Sequence, residues 1–220
     1  MIIFKYSHKG NREVNEDYVV THSMGDGISL YLIADGMGGY DFGDVASKVV
    51  GDSYVAGLSR NMSLEEATNL ASYNLKKEQK NLGVKKMGST VAGVFIKKRD
   101  ATVFWAGDSR VYIFRDEKPL YQTEDHSLVN ELSKTRALTI EEISRYVHLV
   151  TRALTGNSDD TIDYEHFSLV DGDEIFICSD GIYNDCPVDY IIESIRKNCF
   201  DLQNQSESFD DNHSLIYIKL

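Results

Sequence analysis

Asp35 stands where an apolar run stops and a glycine-rich turn starts. Leu30 to Ile33 lead through Ala34 into it, and Gly36-Met37-Gly38-Gly39 follows. Such a run reads as a strand ending at the acid. The glycines let the backbone approach whatever the acid binds. The pattern recurs along the chain. Phe104-Trp105-Ala106 ends in Gly107-Asp108, and Ile175-Phe176-Ile177-Cys178 ends in Ser179-Asp180-Gly181. Asn15-Glu16-Asp17 leads into Tyr18-Val19-Val20, and Asp210-Asp211-Asn212 precedes Leu215-Ile216-Tyr217-Ile218. Asp-Gly pairs are common in turns for local reasons. Turn residues have no reason, however, to stand repeatedly at the ends of long apolar strands. Five acidic groups that converge repel one another unless cations lie between them, and hard carboxylate oxygens suit Mg²⁺ or Mn²⁺.

Other side chains point towards an anionic substrate. Arg12 lies five residues before Asp17. A guanidinium beside a metal cluster grips two oxygens of a phosphate at once; the alternative is a surface ion pair with Glu13 or Glu16. Arg110 is as well suited to holding a carboxylate as to touching substrate. His126, in Glu124-Asp125-His126-Ser127, reads as a general acid or as a turn residue, with the turn preferred. No histidine pair has zinc-ligand spacing. There is no phosphate loop, no Gly-x-Ser-x-Gly elbow and no cysteine in a phosphate-binding loop.

The elements that position these groups are mostly strands. Strand-like segments are expected at 2–6, 18–22, 29–34, 89–96, 101–106, 111–114, 162–168, 174–178 and 215–219. Turn signals such as Lys97-Lys98-Arg99-Asp100 and Asp171-Gly172-Asp173 separate several of them into hairpins. Helices are expected at 43–58, from the capping box Ser63-Leu64-Glu65-Glu66 to about 79, and from Pro187 in a first turn to about 197. A shorter one is expected from Thr139-Ile140-Glu141-Glu142. The order does not alternate βαβ. It fits an α+β fold of two antiparallel sheets packed face to face, with helices outside.

Composition sets the frame. The 220 residues read most simply as a single domain over 1–220. The chain is 42% hydrophobic and 26% charged, as soluble globular proteins are. A net charge of −12 argues against nucleic acid or an anionic membrane as partner. Met1–Tyr6 lacks signal-peptide character, and no apolar run approaches the roughly 20 residues that span a bilayer. Three cysteines without framework spacing, Cys178 in a core strand, fit a reducing compartment. A cytoplasmic protein is expected.

Taken in order, these segments resemble the PP2C (PPM) family of metal-dependent protein serine/threonine phosphatases, in its compact bacterial form. The matching stretches are Gly10-Asn11-Arg12, Asn15-Glu16-Asp17, Ala34 to Gly39, Gly88-Ser89-Thr90, Ala106 to Arg110, Glu124 to Ser127, Thr151-Arg152-Ala153-Leu154, Cys178 to Gly181 and Asp211-Asn212. The resemblance implies that Asp35 bridges two Mn²⁺ or Mg²⁺ ions and that Gly36 lends one of them a carbonyl. It implies that Asp180 and Asp211 ligate the second ion, and that Glu16 and Asp17 act largely through metal-bound water. Asp108 would hold a weaker third ion, Arg12 would bind phosphate, and residues 127–150 would form a flap beside the site. The implied reaction is direct attack of a metal-bridging hydroxide on phosphoserine or phosphothreonine. The implied partners are phosphorylated proteins and a serine/threonine kinase, the enzyme acting as a monomer. Two features depart from the pattern. Met37 replaces a histidine proposed as general acid in some eukaryotic members, as it does in bacterial ones, which leaves the proton donor to the leaving group unassigned. Thr155-Gly156 follows Leu154, where Gly usually follows directly. Two alternatives stand beside this reading: a catalytically silent phospho-binding regulatory module on the same fold, and a metal phosphodiesterase or nuclease on another, against which the acidic surface counts.

Overall fold

Strand residues 28–35 are apolar almost without interruption because both of their faces are covered. In β3 (Ile28–Asp35), Leu30, Leu32 and Ala34 pack beneath α1 (Gly43–Leu58) and α2 (Leu64–Leu82). Tyr31 and Ile33 point the other way, into a second layer with Val94, Ile113, Ile177 and Ile216. A continuous apolar run of this length marks a fully buried strand. The computed structural model describes residues 1–37, 42–200 and 209–220. Gly38 and Gly39 of the first motif lie outside the described residues.

The described residues form two five-stranded sheets. One runs β1 (Ile2–His8), β10 (His213–Lys219), β9 (Glu174–Cys178), β6 (Arg110–Arg115), β7 (Lys118–Gln122). The other runs β2 (Asp17–Gly25), β3, β4 (Val91–Lys97), β5 (Asp100–Ala106), β8 (Asp163–Ser168). Every pairing is antiparallel. A third apolar layer lies outside the first sheet. There Ile182 of α5 (Asp180–Asp185) and Ile191 and Ile192 of α6 (Val188–Arg196) meet Phe176 and Tyr217. The architecture is helices, sheet, sheet, helices, as the sequence predicts.

Local signals account for most boundaries. Ser63 accepts a hydrogen bond from the Glu66 backbone N–H at 3.1 Å and donates its own N–H to the Glu66 carboxylate at 2.7 Å, closing the expected capping box. Thr139 and Glu142 do the same for α4 (Ile140–Tyr146). Three elements were not expected. β7 holds Lys118 and Pro119 and is mostly exposed; as an edge strand it tolerates a proline and shows no apolar alternation. α3 (Leu128–Ser133) is a single short turn capped by Ser127. α5 begins at Asp180, so Asp180-Gly181 opens a helix rather than a turn. Pro187 sits at the N-cap of α6, one position earlier than expected.

Antiparallel pairing brings alternate strand starts and ends to the same edge. The start of β2, the end of β3 and the end of β5 share one edge of one sheet. The start of β6, the end of β9 and the start of β10 share the adjoining edge of the other. Every acid singled out above is at one of these six places. No helix among the described residues is long and apolar enough to cross a membrane.

Candidate active site

Asp17 and Asp35 face each other directly as paired residues of β2 and β3. Just beyond Asp35 the chain is held from both sides. Ser89 donates its hydroxyl to the Asp35 carbonyl at 2.9 Å, and the Thr90 N–H donates to that same carbonyl at 2.8 Å. Gly36 then passes so close to the start of α1 that a Cβ there would stand 2.2 Å from the Gly43 carbonyl oxygen. Only glycine fits, which explains the residue after the acid.

The other sheet supplies Asp108, Asp180 and Asp211. Arg110 pairs with Cys178, and just beyond that pair Asp108 and Asp180 lie close enough for the Asp180 charge to act on Asp108. Asp211 precedes β10, the strand next to β9. Asn212 fastens the N-terminal loop to this edge. Its Nδ2 donates to the carbonyls of Lys9 and Val14, both at 2.9 Å, and its Oδ1 accepts from the Glu16 N–H at 2.8 Å. Gly10 permits the wrap: its φ is +59°, and a Cβ would sit 2.3 Å from the Asp211 carbonyl oxygen. The loop thereby delivers Arg12, whose Nη2 donates to Asp211 Oδ2 at 2.8 Å. Its ion-pair partner is therefore Asp211, not Glu13 or Glu16. Both side chains are open to solvent, at 54% and 41% exposure, so this pair is weakly held and readily exchanged.

These residues line one cavity of about 630 Å³, with Glu13, Val14, Met37, Thr90, His148, Leu149 and Val150 completing its wall. Of the expected site residues, Arg12, Glu16, Asp35, Gly36, Asp108, Asp180 and Asp211 all border it. Asp17 lies behind them, buried, with Oδ2 accepting from the Ser179 hydroxyl at 2.8 Å.

The electrostatics are those of a site built for cations. Burial, then the charges of Asp17, Asp180, Asp108 and Asp211, raise the Asp35 pKa well above its ordinary value. Burial raises Asp17 to about 7 against the hydrogen bonds that favour its anion, and burial with Asp180 raises Asp108 to about 7. Asp180 is raised by burial and by Asp211, and Glu16 by burial and by Asp44. Among the described residues the acids line the cavity without three of them closing into one ligand cluster. One atom tests whether a metal fits here. Asp17 Oδ1 is buried and has no hydrogen-bond partner among the described residues. A buried carboxylate oxygen left unpaired is costly. Hard divalent cations take such oxygens, so the donor set fits them.

Two of the residues weighed earlier hold the scaffold instead. Arg110 makes a two-pronged pair with Asp125, at 2.8 and 2.6 Å, and lies over the Tyr183 ring. His126 accepts the Gly107 N–H on Nδ1, meets Asp163 through Nε2 and stacks on Trp105; it is a structural residue outside the cavity wall.

The model of the protein phosphatase 2C family matches residues 5–212. The chain belongs to the protein phosphatase 2C family. It is 30% identical over 184 residues to the protein phosphatase PhpP of Streptococcus pneumoniae, covering 79% of this chain and 75% of PhpP. It is 27% identical over 212 residues to the serine/threonine phosphatase stp of Listeria welshimeri, covering 90% and 83%. The S. agalactiae serine/threonine phosphatase superposes with a TM-score of 0.82 at 25% identity, over 100% of this chain and 99% of that one. The catalytic domain of the phosphatase PstP, in complex with two manganese ions, superposes with a TM-score of 0.80 at 25% identity, over 98% and 96%.

Sequence reasoning gives no role to Thr90, Ser179 or His148, which the fold brings to this candidate site. Ser179 was findable, since it directly precedes Asp180. Thr90 lies within the matching stretch Gly88-Ser89-Thr90, whereas His148 carries no local signal, because only tertiary packing brings it to the cavity.

Proposed function

We propose that this chain is a metal-dependent phosphoprotein phosphatase hydrolysing phosphoserine and phosphothreonine. The observation that carries the reading is the cavity in which six strand-end positions from two sheets deliver acids beside one arginine. Membership of the protein phosphatase 2C family and the manganese bound by PstP support it. The catalytically silent alternative finds no support, since none of the expected acids is missing.

In this reading Asp35, the Gly36 carbonyl, Asp180 and Asp211 would hold Mn²⁺ or Mg²⁺ ions. Asp17 and Glu16 would support them through bound water, and Asp108 would hold a weaker third ion. When bound, the metals supply a water of lowered pKa and offset negative charge on the phosphoryl group. The protein's own work is placement. Ser89 and Thr90 fix the Asp35 backbone, Ser179 fixes Asp17, and the Asn212 clasp fixes the loop that carries Arg12. Arg12 gives up Asp211 and donates to two phosphate oxygens, which it can do because its present ion pair is solvent-exposed. The whole of 1–220 works as one catalytic domain, with 127–150 as its flap. A monomeric, cytoplasmic enzyme acting opposite a serine/threonine kinase completes the proposal and rests on the family alone.

The deciding assay is phosphate release from a phosphothreonine peptide. Turnover with Mn²⁺ that EDTA abolishes is expected; turnover that survives EDTA overturns the reading. Arg12→Ala separates substrate from metal binding. KM should rise about tenfold while calorimetric Mn²⁺ affinity stays the same. Lost metal affinity with unchanged KM would make Arg12 a structural partner of Asp211.

A further inference from the structure

Breaking a phosphoserine or phosphothreonine ester leaves an alkoxide, a poor leaving group unless it is protonated as the bond breaks. The cavity wall offers few donors. Glu16, Asp35, Asp108, Asp180 and Asp211 are assigned to the cations, and a carboxylate acts as a ligand only without its proton; Glu13, the other wall carboxylate, is solvent-exposed. Arg12 carries a guanidinium, which does not give up protons in proteins. Met37 carries none. Beyond the carboxylates, the wall holds one further side chain able to give and take a proton, the imidazole of His148.

His148 differs from the other five histidines. His8, His22, His126, His166 and His213 each have a ring nitrogen engaged in a hydrogen bond. Among the described residues His148 has neither nitrogen so engaged, and it faces Asp180 across the cavity closely enough to feel its charge. Its backbone is nonetheless pinned. The Leu149 N–H donates to the Tyr146 carbonyl at 3.0 Å, and the Leu128 N–H donates to the Leu149 carbonyl at 2.8 Å. Ser127 pairs with Val150 directly beyond. An unengaged imidazole on a fixed backbone, open to the cavity, has the placement a proton donor needs.

We propose that His148 is the general acid that protonates the leaving seryl or threonyl oxygen. The inference rests on the phosphatase reading above. As the ester P–O bond breaks, its electron pair passes to the ester oxygen, which takes the imidazolium proton. The attacking water oxygen forms the new bond to phosphorus, and its proton returns through solvent to the imidazole. The products are inorganic phosphate and the free hydroxyl.

His148→Gln tests this with two aryl esters that lack any peptide. Phenyl phosphate has a basic leaving group that needs the proton; p-nitrophenyl phosphate has an acidic one that needs it far less. With saturating Mn²⁺, kcat should fall about 10²-fold on phenyl phosphate, the lower end for a lost general acid, and less than tenfold on p-nitrophenyl phosphate. KM should hold for both, and added imidazole should restore part of the phenyl phosphate turnover. The p-nitrophenyl phosphate rate also reports that the variant is folded. Equal losses on both esters, a change in KM alone or no loss at all overturns the assignment of His148. A wild-type chain that hydrolyses neither ester with Mn²⁺ overturns the phosphatase reading itself, and this inference with it.

Discussion

Asp35→Asn should lower kcat at least about 10²-fold at saturating Mn²⁺, the scale for removing one preorganised electrostatic element. The backbone around it should not move, because Ser89 and Thr90 hold the Asp35 carbonyl and not its side chain. The variant should also differ from wild type in a way independent of turnover. Burial and four neighbouring acids raise the Asp35 pKa above its ordinary 3.8 in the folded chain. The folded state therefore binds more protons than the unfolded one, and without metal its stability falls as pH rises from about 4. The amide removes that penalty. Metal-free Asp35→Asn should melt higher than metal-free wild type at pH 8, with a smaller gap at pH 5. Added Mn²⁺ should narrow or reverse the pH 8 gap, since the cations stabilise only the chain that holds them well. Near-normal turnover, or identical metal-free melting at both pH values, would remove Asp35 from the centre of the site.

Asp108→Ala should cost about 10²-fold in kcat while two Mn²⁺ ions remain bound per chain. Asp108 enters from the turn between β5 and β6, on the other sheet's side of the cavity from the Asp17–Asp35 pair, near enough to Asp180 and Asp35 to share charge with both. Arg110, two residues on, makes its hydrogen bonds to Asp125 and lies over Tyr183, so it acts on Asp108 only through its charge. A site with so few protein ligands keeps more water around its ion and fills only at higher metal concentration. The direction with pH follows from burial and Asp180, which raise Asp108 to about 7. Below that pH the carboxyl is increasingly protonated, so wild type should need more Mn²⁺ for half-maximal turnover at pH 6 than at pH 8. Calorimetric stoichiometry and a metal titration of kcat decide the matter. Loss of all bound metal in the variant, or an unchanged titration, assigns Asp108 elsewhere.

The parts of this fold that were readable are those whose cause is local. Leu30–Ile33 and Ile175–Cys178 declare buried strands because both faces are covered, and Ser63 and Thr139 declare helix starts because the reciprocal bonds use neighbours three residues apart. The acids were readable through repetition at strand ends, although the convergence itself depends on sheet topology. What escaped has a non-local cause. β7 is a strand because β6 lies beside it, despite Pro119. Asp180 opens a helix because Ile182 has a third apolar layer to enter. The partner of Arg12 lies 199 residues away. His148 sits between Val147 and Leu149 with no motif around it, and only the fold-back of 127–150 brings it to the cavity.

That fold-back has an evolutionary side. Residues 127–150 leave and rejoin the body at one place, where Ser127 pairs with Val150 and the Thr151 N–H donates to the His126 carbonyl at 2.8 Å. Neither α3 nor α4 buries a residue. Closing such an excursion depends only weakly on its length, about 0.6 kcal/mol for a doubling. The segment can thus lengthen, shorten or be traded between relatives without disturbing the strands that carry the acids. A lineage that exchanges this one cassette would keep the acids at the strand ends but trade away His148, so the proton donor and the cavity wall formed by Leu149 and Val150 would evolve together.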